Sequence, residues 1–580
     1  MRKSGTIVTR QILFPLFLCI LALTACQPRK RADLPIFVDA NAESGLDFVH
    51  VNGMNGGYLF PEIQGPGVAL FDYDNDGDLD VYLVQGGYLE DTGTSDRPTT
   101  RLIDRLYRND LVVSADGSRH VRLHDVTVAA GLDAGRYGMG VTTGDYDNDG
   151  DIDLYLSNFG DNQLWRNNGD GTFSEVSEES GTGDSRWSHS AVFVDIDRDG
   201  WLDLLVVNYV DFRLGNRKAC SDATGAMDYC GPFAHAPVPD RLYRNLGDGR
   251  FEDISAKSGL RQPGSGLGVV SGDFNQDGWP DLYVANDAMP NHLWINQGDG
   301  RFLDDALMLG TAVNSEGQPQ ASMGVVAGDV DGDGDEDLFI THLREETNTL
   351  YVNDGNGGFR EKSIASGLAA ASRGFTGFGA ALLDFDLDGW LDVVVVNGAV
   401  RAVQSESQRR RAFPYGQPNQ LFRNQDGHYI EISDQVPVLA FEESSRGLAA
   451  GDIDNDGDPD LIIANANGPA RLLLNTHRDA EWLGLRLIGK SGRDAIGASV
   501  TLRRADGRPM FRRVRVGGSY LSAGDPRLLF GLAGNAAITG LAVAWPDGSC
   551  ERWSGLALNR YHELVQGKGG TTDKDCDGED

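Results

Sequence analysis

The sequence predicts an all-β chain, a seven-bladed β-propeller followed by a small C-terminal β-sandwich. Three observations predict it. An Asp-rich unit recurs seven times between residues 67 and 465, its flanks are β-branched and aromatic without helical period, and a differently patterned, alternating segment follows it. Repetition overrides the three or four domains that 580 residues would otherwise suggest, and the 75 glycines suit many strands and tight turns.

Each unit reads Gly, a few small or apolar residues, Asp-x-Asp-x-Asp-Gly-x-x-Asp, then an apolar run. The copies begin at Gly67, Gly140, Ser190, Gly268, Gly324, Gly379 and Gly447. A second element, Leu-x-x-Asn, follows each copy, with its leucine at Leu106, Leu164, Leu242, Leu293, Leu350, Leu421 and Leu472. Most copies continue into a turn such as Asn167-Asn168-Gly169-Asp170-Gly171, whose Gly and Asn supply the positive backbone angles a hairpin needs. A third element, a strand start at Leu123, Phe173, Phe251, Phe302, Phe359 or Tyr429, is missing after Leu472. Phe37-Val38-Asp39, ahead of the first unit, supplies the absent strand, so the N-terminus is expected to complete the seventh blade and close the ring, removing exposed edges.

Oxygen side chains at loop positions one, three, five and nine, with a turn-making glycine at six, suit calcium, which accepts six to eight hard oxygen ligands; magnesium is less well matched. The sets are Asp72, Asp74, Asp76, Asp80; Asp145, Asp147, Asp149, Asp153; Asp195, Asp197, Asp199, Asp203; and Asp273, Asn275, Asp277, Asp281. The others are Asp329, Asp331, Asp333, Asp337; Asp384, Asp386, Asp388, Asp392; and Asp452, Asp454, Asp456, Asp460. An EF-hand is excluded, because position twelve is Leu83 or Leu156 where a Glu is needed and the flanks are strands. The loop with Asn275 is expected to be the weakest. These loops carry 32 carboxylates, nearly the whole net charge of −35, so cations are expected to stabilise the native state. The same charge argues against nucleic acid or anionic lipid as partner.

The N-terminus has Arg2, Lys3 and Arg10, an apolar run from Ile12 to Leu23, then Leu23-Thr24-Ala25-Cys26. That end resembles a bacterial lipobox, which implies cleavage before Cys26, lipidation of Cys26 and anchoring in a membrane; Gln27 after it implies the outer membrane. An ordinary signal peptide is the alternative. Export favours a disulfide between Cys220 and Cys230, which lie in a short insert with little core; metal binding by the two thiols is the alternative. Whether Cys550 pairs with Cys576 stays open.

The units resemble the FG-GAP or VCBS repeats of integrin α-subunit propellers and of the cartilage acidic protein family, over about Phe37 to Asn475. Beyond them, Trp482-Leu483-Gly484-Leu485, Asp494-Ala495-Ile496-Gly497-Ala498, Gly518-Ser519-Tyr520-Leu521-Ser522, Phe530-Gly531-Leu532 and Trp545-Pro546-Asp547-Gly548 resemble the ASPIC/UnbV domain. Ala533, where the family tends to have Gly, and Ala523-Gly524-Asp525 depart from it. The implied organisation is a lipoprotein signal peptide over 1–25, an anchor and linker over 26–36, an integrin-α-type propeller over 37–478, an ASPIC/UnbV-like β domain over 479–568 and a polar tail over 569–580.

Strand direction puts the Asp loops at one end and three long inserts, about Gln85–Asp104, Asp211–Asp240 and Ala399–Pro418, at the other, where scaffold-held loops are expected to bind a protein or glycan. Arg409-Arg410-Arg411 in the third insert is a candidate grip for an anionic patch, or plain solvated surface. No nucleophile elbow, His-Glu-x-x-His, Walker loop or zinc-type cysteine pairing occurs in the sequence, and no catalytic residues are assigned. His189 and His342 are read as hydrogen-bonded structural histidines. An interaction or adhesion module is the leading reading; a polysaccharide-lyase-like enzyme and an envelope assembly scaffold are the alternatives.

Overall fold

Each Asp loop joins two strands of a four-stranded antiparallel sheet. The computed structural model describes residues 36–89, 101–222, 225–401, 415–477, 480–533, 537–571 and 576. Among these are seven such sheets. The second sheet illustrates the pattern, with strands Gly138–Gly144, Asp153–Asn158, Gln163–Asn167 and Phe173–Glu175 in that order. Its second strand, like Asp203–Asn208 in the third sheet, is buried on both faces, which is why these segments read as unbroken apolar runs. The last sheet takes its fourth strand from the other end of the chain: Phe37–Asp39 pairs antiparallel with Arg471–Asn475, Phe37 opposite Asn475.

The sheets follow one another round a closed circuit. The first strand of each lies beside the first strand of the next, and Val68–Phe71 of the first sheet lies beside Ser445–Gly451 of the seventh. At this contact the glycine that opens the repeat is needed for close approach. A Cβ on Gly324 would come within 2.1 Å of the Phe378 carbonyl, and one on Gly379 within 2.8 Å of the Arg446 carbonyl. Between consecutive sheets lie seven apolar clusters. One holds Phe71 and Tyr82 of the first sheet with Leu154 and Trp165 of the second; another joins Val394 and Leu421 of the sixth to Leu461 and Leu473 of the seventh.

The asparagine of each Leu-x-x-Asn staples its sheet to the preceding one. Asn167 Nδ2 donates to the Tyr73 carbonyl at 2.8 Å, Asn245 to Tyr146 at 2.8 Å, Asn296 to Ile196 at 2.9 Å and Asn353 to Phe274 at 2.8 Å. Asn424 donates to Val330 at 2.8 Å, Asn475 to Phe385 at 2.8 Å, and Asn109 of the first sheet reaches Ile453 of the last at 3.0 Å. Seven donors thus link seven sheets without a gap.

The C-terminal region forms two sheets around a single apolar core that includes Leu485, Val500, Phe530 and Val543. One has five strands; the other has three and pairs Trp482–Ile488 in parallel with Tyr561–Val565, a pairing that strand alternation alone does not announce. Cys220 bonds Cys230, and Cys550 bonds Cys576. Part of the expected polar tail is ordered: Gly570–Thr571 adds to the five-stranded sheet beside Glu551 and Arg552. The leader with Cys26 and the run Arg409-Arg410-Arg411 lie outside the described residues. Among the described residues no helix is long and apolar enough to cross a membrane.

Asn245 also donates to the Leu202 carbonyl and accepts from the Gly247 amide. Asn245→Ala is therefore expected to cost about 2–4 kcal/mol, from bonds lost and two buried carbonyls left with fewer donors. Asn245→Asp, which aims an anion at those carbonyls, costs at least as much. Thermal melting against the exposed-site control Asn168→Ala measures both.

Candidate metal centre

The loops share one internal geometry. The carboxylate at position one accepts from the amide at position six in every loop and, in four of them, from position five as well, as in Asp76 and Gly77 to Asp72 at 3.0 and 3.1 Å and Asp456 and Gly457 to Asp452 at 2.9 and 2.8 Å. This curls the chain round a point that the position-three and position-nine carboxylates also face. Position nine is the most buried. It accepts from the amide at position two and from the amide of the Leu-x-x-Asn asparagine, for example Tyr146 and Asn167 to Asp153 at 3.0 and 2.8 Å. The stapling asparagine is thus bonded to the loop as well as to the neighbouring sheet.

Three ligand oxygens lie within 4.8 Å of one another in Asp72/Asp74/Asp80, Asp145/Asp147/Asp153, Asp195/Asp197/Asp199, Asp329/Asp331/Asp333 and Asp384/Asp386/Asp392. One oxygen of each position-three aspartate in these loops, Oδ1 of Asp74, Asp147, Asp197, Asp331 and Asp386, is buried without a hydrogen-bond partner among the described residues. An orphaned anionic oxygen beside two further carboxylates fits a hard divalent cation. In the fourth loop, Asn275 replaces one of these oxygens with an amide that donates to Asp277 at 2.9 Å.

Burial pushes the position-one carboxyls up, to about 6 in Asp72, Asp145, Asp195, Asp273 and Asp329 and about 7 in Asp384 and Asp452. Guanidinium groups oppose the shift, and all of them come from the C-terminal region. Arg486 acts on Asp72, Arg493 on Asp145 and Asp195, Arg513 on Asp273, Arg512 on Asp329 and Asp384, and Arg527 on Asp452. Five arginines therefore address all seven loops.

This follows from where the chain leaves the seventh sheet. Arg471–Asn475 ends at Asn475, on the Asp-loop side, so residues 480–571 cover that end. Arg493 donates to the Gly200 carbonyl at 3.1 Å, Arg508 to Gly389 at 3.0 Å and Arg527 to Asp452 at 2.8 Å. Arg513 and Arg515 both grip Glu336, the first at 2.6 Å. Six loops carry an apolar residue or proline where Glu336 stands, so this partner was visible in the repeat alignment; the arginines, scattered over 486–527, were not.

From the same region a segment enters the middle of the circuit and pairs with the first strands. Ser519 and Val325 exchange amide bonds at 2.7 and 3.0 Å, Val141 donates to Leu521 at 3.0 Å, and Ala523 donates to Val68 at 3.0 Å. Tyr520, fully buried, donates to Gln64 Oε1 at 2.8 Å and packs on Phe378. His342 keeps its expected hydrogen bond, to Thr349 at 3.0 Å. His189 does not. Both its ring nitrogens are unpartnered among the described residues; it lies between Trp187 and Tyr209, and burial pushes it down to about 3, leaving it neutral.

FG-GAP-like repeat models match residues 145–206, 222–284, 273–340 and 329–395, and the ASPIC and UnbV model matches 489–571. Cartilage acidic protein 1 of Mus musculus is 28% identical over 511 residues, covering 83% of this chain and 70% of the relative; that of Homo sapiens is 27% identical over 509 residues, covering 83% and 69%. Over most of its length the chain is similar to the cartilage acidic protein family. Ala533, which departs from the family pattern, has a positive φ, 50°, a conformation that favours glycine. Among solved structures, a lectin from Burkholderia pseudomallei is 11% identical with a TM-score of 0.41, covering 71% of this chain and 96% of the lectin. A lectin from Agrocybe aegerita, described as recognising non-reducing terminal N-acetylglucosamine, is 15% identical with a TM-score of 0.38, covering 70% and 87%.

Burial would raise Glu336, but Arg513 and Arg515 overcome it and hold this acid, 3% exposed, below the ordinary glutamate range. Its contribution to stability is therefore complete above that range and is lost as pH falls below it. Glu336→Gln leaves two guanidinium groups without their anion, with an expected cost of about 3–5 kcal/mol. Melting of wild type and variant from neutral to acid pH should show the gap narrowing as the wild-type acid protonates.

Proposed function

We propose that this chain is a seven-bladed, integrin-α-type propeller with a C-terminal β-sandwich, that its seven Asp loops bind calcium, and that it binds a protein or glycan at the opposite end, outside the cytoplasm. The lipid on Cys26 holds it to a membrane in this reading. The observation that carries the binding face is occupancy: the Asp-loop end is covered by residues 480–571, so the other end is the open one. That end bears the insert stapled by Cys220 and Cys230, with Phe233 82% exposed and Met227 and Tyr88 also exposed. Exposed aromatic and apolar groups on scaffold-held loops are suited to recognition.

Calcium is supported by the orphaned position-three oxygens and by charge. Clustered carboxylates resist compaction until a cation joins them. Calorimetric titration of the soluble form beginning after Cys26 is expected to show several bound calcium ions. Melting should rise in calcium and fall in chelator, each site contributing about 2.7 kcal/mol when calcium stands a hundredfold above its Kd. An unmoved midpoint reduces the loops to turns. For the partner, calcium-dependent capture on glycan and surface-protein arrays should be lost in Phe233→Ser with the melting temperature unchanged.

A further inference from the structure

The seventh loop houses its acids differently from the other six. Position seven of the loops is Asp78, Asp151, Trp201, Trp279, Asp335, Trp390 and Asp458. Where it is an aspartate, position four of the preceding loop donates to it: Asn455 to Asp78 at 2.8 Å, Asn75 to Asp151 at 2.8 Å, and Gln276 to Asp335. Asp458 breaks this rule. The matching residue of the sixth loop is Leu387, which offers no donor, and neither oxygen of Asp458 has a hydrogen-bond partner among the described residues. Asp78, Asp151 and Asp335 are half-buried, whereas Asp458 is 1% exposed.

The C-terminal region encloses this loop. Trp482 packs so closely on Gly457 that a Cβ there would meet its ring, and Tyr561 donates to Asp452 at 2.9 Å. Asp452, Asp454, Asp458 and Asp460 are all buried, and Asp458 faces Asp456 and Asp454 most strongly. Arg527, which acts on Asp452, is itself bonded to Asp525 through Nε and Nη2. Buried anions with so little counter-charge need a cation.

We propose that Asp458 is a side-chain ligand of a divalent cation in the seventh loop, which therefore holds its ion with five carboxylates and more tightly than the other loops. The inference rests on the calcium reading above and adds to it a ligand and a ranking of sites. Calcium, with six to eight oxygens in a flexible shell, accommodates a fifth carboxylate where octahedral magnesium does not, and ligand charge count tunes affinity over decades.

Calcium calorimetry on the full chain tests it. Wild type should show one site about tenfold or more tighter than the rest. Asp458→Asn should lose that tight class and keep the others, while Asp151→Asn, at the same position in the second loop, retains it. Leu387→Asn supplies the donor that the other aspartates have, and should weaken the tight site by occupying Asp458. Leu387 already has a φ of 54°, so asparagine suits its backbone. A tight class that survives in Asp458→Asn overturns the proposal and leaves the calcium reading standing, as does a wild type whose sites are all alike. A wild type that binds no calcium overturns both. Should Asp458→Asn not fold, an unchanged tight class in Leu387→Asn is the overturning result.

Discussion

The architecture depends on a single hydrogen-bonded relay repeated round the circuit. The position-nine aspartate accepts from its own loop and from the asparagine of the third strand, and that asparagine reaches the carbonyl at position two of the preceding loop. Loop, sheet and neighbouring sheet are thus tied at one buried point. Because Asn109 bonds Ile453, the relay has no first or last member, and the apolar clusters between sheets are all enclosed. The Leu-x-x-Asn element is therefore an inter-sheet clamp as much as a strand signature.

Charge organises the end where the loops lie. Seven nests of carboxylates bring anions together, and the C-terminal region answers with five arginines and with bonds to loop carbonyls. A cation in a loop would share this work, since four carboxylates exceed the charge of one dication and one guanidinium combined. The same region fills the middle of the circuit, giving backbone partners to first strands that would otherwise be open edges. It acts as a structural part of the ring, and its placement covers the Asp-loop end.

Much of this was legible in the repeats. The Asp spacing, the seven Leu-x-x-Asn elements and the lone strand Phe37-Val38-Asp39 each correspond to a bond or pairing that can be named. Glu336 was also visible, as the single departure at a position where the six other loops carry an apolar residue or proline. The docking of 480–571 was not legible, because its arginines have no period and act on loops hundreds of residues earlier. His189 shows the same limit: a histidine beside a strand gives no sign of whether its neighbours will be polar or, as here, aromatic.

The sequence by itself determined the repeating unit, the number of copies and the chemistry of each loop, since these rest on local spacing and residue type. Tertiary structure alone decided which end is covered, which arginine meets which loop, and that Asp458 has no donor among the described residues. Those outcomes depend on where a distant segment comes to rest, and no local pattern encodes the burial and charge it imposes.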